Sequence, residues 1–466
     1  MSNVKDFGAV GDGKNDDTEA FQHAITDGDG IVELPRGDYR ITKTLLVDLS
    51  KHGRVSFNGS GGVAKLLMEG SGPAIFLRGT HAKTADPNGF RPEEWQRERM
   101  PMVSGLEIEG RHPEADGVRI EGVMQPTLSG VLIRTVRTAV HVTDRARNLL
   151  IDHCHFYHNT GIGVHLDGVN LHQTIISDSH ISYNRLGGIR IEKSQIFNLQ
   201  ITGNDIEYNN NRAHKVPDAD DIPTAEIYID ASEGLVKEGT ICSNTIQATY
   251  STGGANVRII GGPPETPEGN RRAGLWSISG NLIGSQTDNI HLTSVGGITI
   301  AGNYIYNGLR RNLLVEDCRN VVVGANCFGP RPGERCTGIR IVDSADCVLS
   351  GVLIQDGATV GKGREPIIEE GRQGQVEIVR CRRMNLSGIQ VLDSHPVGIY
   401  LEDCSDTLMT GCSVLDAAKP GRMTTGIRWV GAGHHNMISS SRIGKGTEAD
   451  IAVPDHVRLH NNLLDE

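Results

Sequence analysis

Two sets of side chains recur through the sequence at positions that would bring them into line. The first is Arg119, His141, His165, Arg190, Tyr228, Arg258, His291, Leu314, Arg340, Tyr400 and Arg428. All but Leu314 are Arg, His or Tyr. The second lies two residues further on each time: Glu121, Thr143, Asp167, Glu192, Asp230, Ile260, Thr293, Glu316, Val342, Glu402 and Val430. Arginine and histidine offer donors in fixed geometry, and tyrosine a flat ring with a polar tip, a combination suited to sugar hydroxyls and carboxylates. Paired carboxyl groups, about 5 Å or about 6.5–9.5 Å apart, are what hydrolysis of a glycosidic bond requires. Proton abstraction beside a uronate carboxylate requires a base and a cation that neutralises the carboxylate. Arg beside Glu is also ordinary solvated-sheet chemistry. The scarcity of Lys in the first set, and its His and Tyr, favour a ligand groove.

The elements that must position these residues are short strands. From about residue 103 a small or polar residue is followed by apolar, any, apolar: "DGVRI", "TAVHV", "IGVHL", "GGIRI", "AEIYI", "ANVRI", "DNIHL", "RNLLV", "TGIRI", "VGIYL" and "TGIRW". A degenerate copy, "EPIIEE", fills the gap near Ile367. In each copy the two apolar residues point inward and the residue between them outward. Most spacings are two to three dozen residues, and second strands with Asn-containing turns lie between: "ITGNDI", "ICSNTI", "ISGNLI", "IAGNYI", "VGANCF". Asn there is expected to take the left-handed conformation a turn needs. Period-2 alternation repeated at this length makes each repeat one coil of a stack. The expected fold is an all-β, right-handed parallel β-helix, a single domain over 1–466. Residues 1–45 would form the N-terminal cap and first coil, 103–466 the regular coils, and 80–101 and 209–224 inserted loops.

The totals agree with such a stack. Of 466 residues 58 are Gly, which supplies the positive φ of tight turns, and only 4% are aromatic. The net charge of −11 argues against binding nucleic-acid phosphates. No run of about 18 apolar residues exists to span a membrane. The nine Cys have neither CxxC nor zinc-ligand spacing and read as small, buried, reduced side chains. The start, MSNVKDFGAV, carries no leader, so the expected location is cytoplasmic as given, or secreted or periplasmic had a leader been removed.

The end of a stacked ribbon must be covered. In "NDDTEAFQHAI" Asp16, Asp17 or Thr18 can cap a helix whose apolar face is Ala20, Phe21, Ala24 and Ile25. The whole stretch "VKDFGAVGDGKNDDTEAFQHAI", followed by "GIVELPRGDYRI", resembles the N-terminal signature of the pectate-lyase-like superfamily. That resemblance implies a β-helix and a carbohydrate theme: polygalacturonases and other glycoside hydrolases, polysaccharide lyases, epimerases, inulin fructotransferases and phage tailspike depolymerases. Homotrimers are common in it, so a trimer is the favoured oligomer. The NTDG, DD and GHG patterns of polygalacturonases are not matched, and function has to be argued from the site.

The longest spacing, from Gly188 to Glu226, contains the polar loop Asn209–Thr224 and leads into Glu226, Tyr228 and Asp230. Insertions of this kind build binding sites. The expected catalytic pool is Glu226, Asp230, Glu192 and Asp167, with Asp220 and Asp221 on the loop. The expected substrate-binding residues are His165, Arg190, Tyr228, Arg258, His291, His141 and Arg119. The reading is a glycoside hydrolase acting on an oligo- or polysaccharide. A lyase or an intramolecular fructosyl transferase is the enzymatic alternative, and a glycan-binding or tailspike-type module the non-enzymatic one. No cofactor or metal is expected, although calcium would assist a lyase. Trp95, on the insertion 80–101, would wall the groove or meet a neighbouring subunit.

Overall fold

The repeated alternation folds into parallel strands. The computed structural model describes residues 2–82, 91–210, 223–263, 271–329, 338–356, 372–417 and 421–465. The chain divides into two compact units, Met1–Ala219 with Thr224–Thr240, and Asp220–Pro223 with Ile241–Glu466. Each is a stack of parallel coils.

In the first unit the strands Gly72–Arg78, Ala115–Met124, Val140–Asp152, Ile162–Ser177, Gly187–Glu192 and Ala225–Asp230 lie side by side. Their register puts Ile75, Val118, Val140, Val164, Ile189 and Ile227 in one inward row. All are fully or almost fully buried. Burying each such side chain contributes about 1.5–3 kcal/mol, and because every row is shared with its neighbours, the stability belongs to the stack. A second sheet closes the coil with its own inward row, Ile108, Ile133, Phe156, Ile181 and Ile206. Regular pairing begins before residue 103: "AIFL" in Gly72–Arg78 already obeys the pattern and adds Phe76 to the outward row beside Arg119.

In the second unit the outward row reads Arg258, His291, Leu314, Arg340, Glu377, Tyr400 and Arg428. The copy expected near Ile367 falls outside the described residues. The strand of that coil is Gly374–Val379, with Val376 and Ile378 inward and Glu377 outward.

The Asn turns differ from expectation in an instructive way. The positive φ falls on the residue before each Asn: Gly203, Ser243, Gly280, Gly302 and Ala325. Each Asn side chain is instead buried. Asn281 Oδ1 accepts from the Asn244 amide at 3.0 Å, Asn303 Oδ1 from Asn281 at 2.9 Å, and Asn326 Oδ1 from Asn303 at 2.9 Å. Their Nδ2 groups donate to the Ile241, Ile278 and Ile300 carbonyls at 3.0, 3.0 and 2.8 Å. Asn is there to satisfy turn amides that the coil leaves unpaired in its interior.

Near the N-terminus, Thr18–Asp27 is the expected helix, with Ala20, Phe21, Ala24 and Ile25 buried. Phe21 meets Tyr39 edge to face at 5.3 Å, and the Gln22 amide bonds Leu46 O and N. The first-turn amide of Thr18 is taken by Asp16, whereas Asp17 turns back to accept from Val10 and Gly11. Asp12 accepts from the Lys14 and Asn15 amides, and Asp12–Asp16 of "DGKNDD" is not a turn but a short irregular strand paired with Gly37–Ile41. The eight described Cys are free thiols; six, at 154, 318, 347, 381, 404 and 412, are buried as expected, whereas Cys242 and Cys327 are only half-buried. Among the described residues, no helix is long and apolar enough to cross a membrane.

Candidate active site

The outward rows of the first unit form one face. Arg119 pairs in register with His141, His141 with His165, His165 with Arg190, and Arg190 with Tyr228. Beside them run Glu121, Thr143, Asp167, Glu192 and Asp230. The expected residues Arg119, His141, His165, Arg190, Tyr228, Asp167, Glu192 and Asp230 thus share this wall, each half-buried.

Their interactions divide the face into parts. Arg119 lies over the Phe76 ring at 5.1 Å and meets Glu121 at 3.0 Å. At the other end Arg190 lies over the Tyr228 ring at 5.1 Å and bonds Glu192 at 2.9 Å. Tyr228 donates to Asp230 at 3.1 Å, and the Ser232 amide bonds the other oxygen at 2.8 Å. Between these ends His141 and His165 stack, with centroids 5.3 Å apart and planes within 17°. His165 Nε2 is 2.9 Å from Glu192. His141 Nε2, buried at the atom level, has no hydrogen-bond partner; Asp167 stands 3.7 Å away. Burial, then His165 and Arg119, pull the His141 pKa down against the smaller pull of Asp167, so its imidazole is neutral near neutral pH. Burial works to raise Glu192, but Arg190 and His165 overcome it and hold the carboxylate below its ordinary range. A neutral imidazole, two arginines and the carboxylate of Glu192, held below its ordinary range, therefore stand within a few coils, each about 4.8 Å from the next.

The described ends of the insertion, 80–82 and 91–101, lie along one edge of this face. The Gly79, His81 and Met100 amides donate to Glu121, Gly122 and Met124 of the strand beneath. His81 and Glu94 form a buried pair at 3.2 Å, and Trp95 is 41% exposed with Arg99 4.7 Å from its ring.

Glu226 does not face outward. It is fully buried and ends an internal ladder in which Asn159 donates to Asn184 (2.7 Å), Asn184 to Asn209 (2.7 Å) and Asn209 to Glu226 (2.5 Å). Burial raises its pKa well above the ordinary value. The alternation rule failed because Glu226 stands two residues before Tyr228, at the corner where the strand enters from the turn, the place that Asn256 and Asn289 take in the second unit. A carboxyl sealed there cannot reach a glycan. Glu226→Gln, which mimics the neutral acid, is expected to leave fold and turnover intact. Glu226→Ala strands the Asn209 donors and should cost about 1–3 kcal/mol in chemical denaturation. Asp220 and Asp221 lie outside the described residues.

His291 also departs from expectation. It is buried in the second unit, 2.7 Å from Glu316 and 3.7 Å from Asp288, which in turn binds Arg310. Arg258 is half-buried beside it in register. Further along, Val342, Val379, Val397 and Tyr400 pack together, and Arg311, Arg340 and Glu377 form an internal ion pair. In this unit His291, Leu314, Glu377 and Tyr400 of the outward row are buried, while Arg258, Arg340 and Arg428 stay half-buried. Among the described residues two clusters place three metal-type donors within 4.8 Å: His141, His165 and Asp167 here, and Asp406, His434 and His435 in the second unit.

Residues 1–236 match the family described as rhamnogalacturonase A/epimerase, pectate lyase-like. The chain belongs to this family. Over 44 residues, 9% of the chain, it is 59% identical to alginate lyase 7 and 57% identical to mannuronan C5-epimerase AlgE3, both of Azotobacter vinelandii. Those matches span 5% and 2% of the relatives' own lengths. Among solved structures it resembles the A-module of mannuronan C-5 epimerase AlgE4 from Azotobacter vinelandii (15% identity, TM-score 0.36, covering 100% of this chain and 97% of that one). It also resembles the tailspike gp49 of Pseudomonas phage LKA1 (12% identity, TM-score 0.47, 99% and 82%).

What the sequence reading of this family member missed is the rank of His141 within the row. Two His at equivalent places on successive coils, Arg on both sides, was the available signal. Only the geometry distinguishes the one committed to Glu192 from the one left open.

Proposed function

We propose that the open face of the first unit abstracts the proton next to the carboxylate of a uronate unit in a polysaccharide, as a lyase or epimerase does. The observation that carries this reading is the stacked His141, held neutral chiefly by burial, in a row with Arg119 on one side and Arg190 beyond His165 on the other. Arg119 or Arg190 would pair with the uronate carboxylate and lower the energy of the carbanion-like transition state. His141 would take the α-proton once its ring turns Nε2, buried in the resting arrangement, toward the substrate. In elimination the electron pair forms the new carbon–carbon double bond as the bond to the leaving glycosidic oxygen breaks, and that oxygen takes a proton. In epimerisation the same carbon is reprotonated from the opposite side. His165, one coil from His141, would give the leaving oxygen its proton in elimination, and water on the open side would reprotonate the carbon in epimerisation. The names of the relatives matched over 44 residues, a lyase and epimerases, agree with this class of chemistry.

Hydrolysis is the second reading, favoured by Asp167, Glu192 and Asp230 standing in register on successive coils, near the spacing of about 5 Å of a retaining pair. One experiment separates them. Polygalacturonate, alginate and neutral glycans are incubated with the protein in D2O, following unsaturated-uronate absorbance, reducing ends and deuterium uptake. New absorbance with new ends marks elimination, and deuterium without new ends marks epimerisation. Reducing ends alone mark hydrolysis and overturn the proposal, as does inertness towards every uronate polymer.

A further inference from the structure

Away from the proposed site, Asp406, His434 and His435 occupy turns of two adjacent coils in the second unit. The Asp406 amide donates to the His434 carbonyl at 2.9 Å, which fixes one turn on the other. Asp406 and His435, both at positive φ, are equivalent turn positions. Asp406 divides its carboxylate: Oδ1 is 2.9 Å from His435 Nδ1, and Oδ2 is 3.8 Å from His434 Nε2. The two rings stand edge to face with centroids 4.9 Å apart.

A plain charge ladder explains part of this. On the preceding coils Arg383 grips Asp346 through both oxygens, at 2.5 and 2.7 Å, and Asp406 with His435 continues the alternation of sign. It does not explain His434. Its Nε2 is too far from Oδ2 for a hydrogen bond, while its Nδ1 is 3.2 Å from Ser405 Oγ. A partner on one ring nitrogen that leaves the other facing a carboxylate is how ligating histidines are oriented. Separations of 2.9 and 3.8 Å are each shorter than two metal–ligand bonds of about 2.0–2.2 Å end to end. One donor atom from each of the three residues lies within 4.8 Å of the others, so a single ion can reach all three once the Asp406–His435 hydrogen bond opens. Two imidazoles and a carboxylate suit a first-row transition ion better than calcium.

We infer that Asp406, His434 and His435 form a surface site for a divalent ion of the zinc type, clamping two successive turns. The test uses the full chain without a histidine tag, stripped with EDTA and titrated with zinc chloride by calorimetry, with thermal melts in parallel. Wild type should bind zinc and melt higher with it. Asp406→Asn and His434→Ala should each weaken that step by about tenfold or more and lose the rise in Tm. These side chains are largely exposed, so circular dichroism should find the variants folded. No zinc-dependent heat, or variants that bind as wild type does, would overturn the site. So would a step removed by His141→Gln instead, which would assign the metal to the first unit.

Discussion

His141→Gln is expected to lower kcat by about 10²–10⁴ on whichever uronate polymer the protein turns over, or about 3–5 kcal/mol of transition-state stabilisation. The effect should fall on kcat with KM little changed, because the base acts on the proton and the arginines hold the carboxylate. Glutamine keeps a polar side chain beside Arg119 and His165, and the position is only half-buried, so melting should stay close to wild type. His165→Gln is the informative partner. His165 is engaged by Glu192, and its loss should be milder if it only supports the stack. A His141→Gln protein with wild-type kcat would remove the base from the mechanism.

The largest expected effect on stability lies in the second unit. Glu377 and Arg311 are both fully buried and 3.1 Å apart, with Arg340 on the same carboxylate and the Gln373 and Gly374 amides on its other oxygen. Glu377→Ala removes a fully buried carboxylate that Arg311 and Arg340 share, and should cost about 3–5 kcal/mol, read by urea denaturation. Acid should act on the same pair. Burial alone would raise the Glu377 pKa, but Arg311, the two amides and Arg340 overcome it and hold it below the ordinary value of 4.5. A depressed carboxyl contributes stability that is complete above the unfolded pKa and fades as pH falls through that value towards the folded one. Glu377→Gln should therefore flatten the acid limb of the stability curve. An unchanged limb would mean that the pair does not set it.

Much of this was readable from one residue-by-residue rule. Alternation of inward and outward positions gave the coils, the row Arg119 to Tyr228 and the carboxylates beside it, because period 2 is a property of any strand. It failed where position within the coil mattered more than parity. Glu226 has the parity of a surface residue and sits at a sealed corner. His291 has the parity of a groove residue and lies between Asp288 and Glu316. Glu377 was overlooked because its strand, "GQVEIV", starts after a long connection and lacks the usual Arg, His or Tyr. The Asn residues were recognised as turn markers but given a backbone role, whereas their amides serve neighbouring coils. Such facts depend on what lies one coil away, which a linear pattern does not report.

The amide column through Asn281, Asn303 and Asn326 has an evolutionary corollary. Each rung asks only that its neighbours above and below present the same group at the same corner. A whole turn of the solenoid could be gained or lost in one genetic event without breaking the chain of amides, whereas a one-residue shift would strand it. Length in this architecture is thus free to change by complete windings, and proteins built on it can lengthen or shorten their working surface in steps.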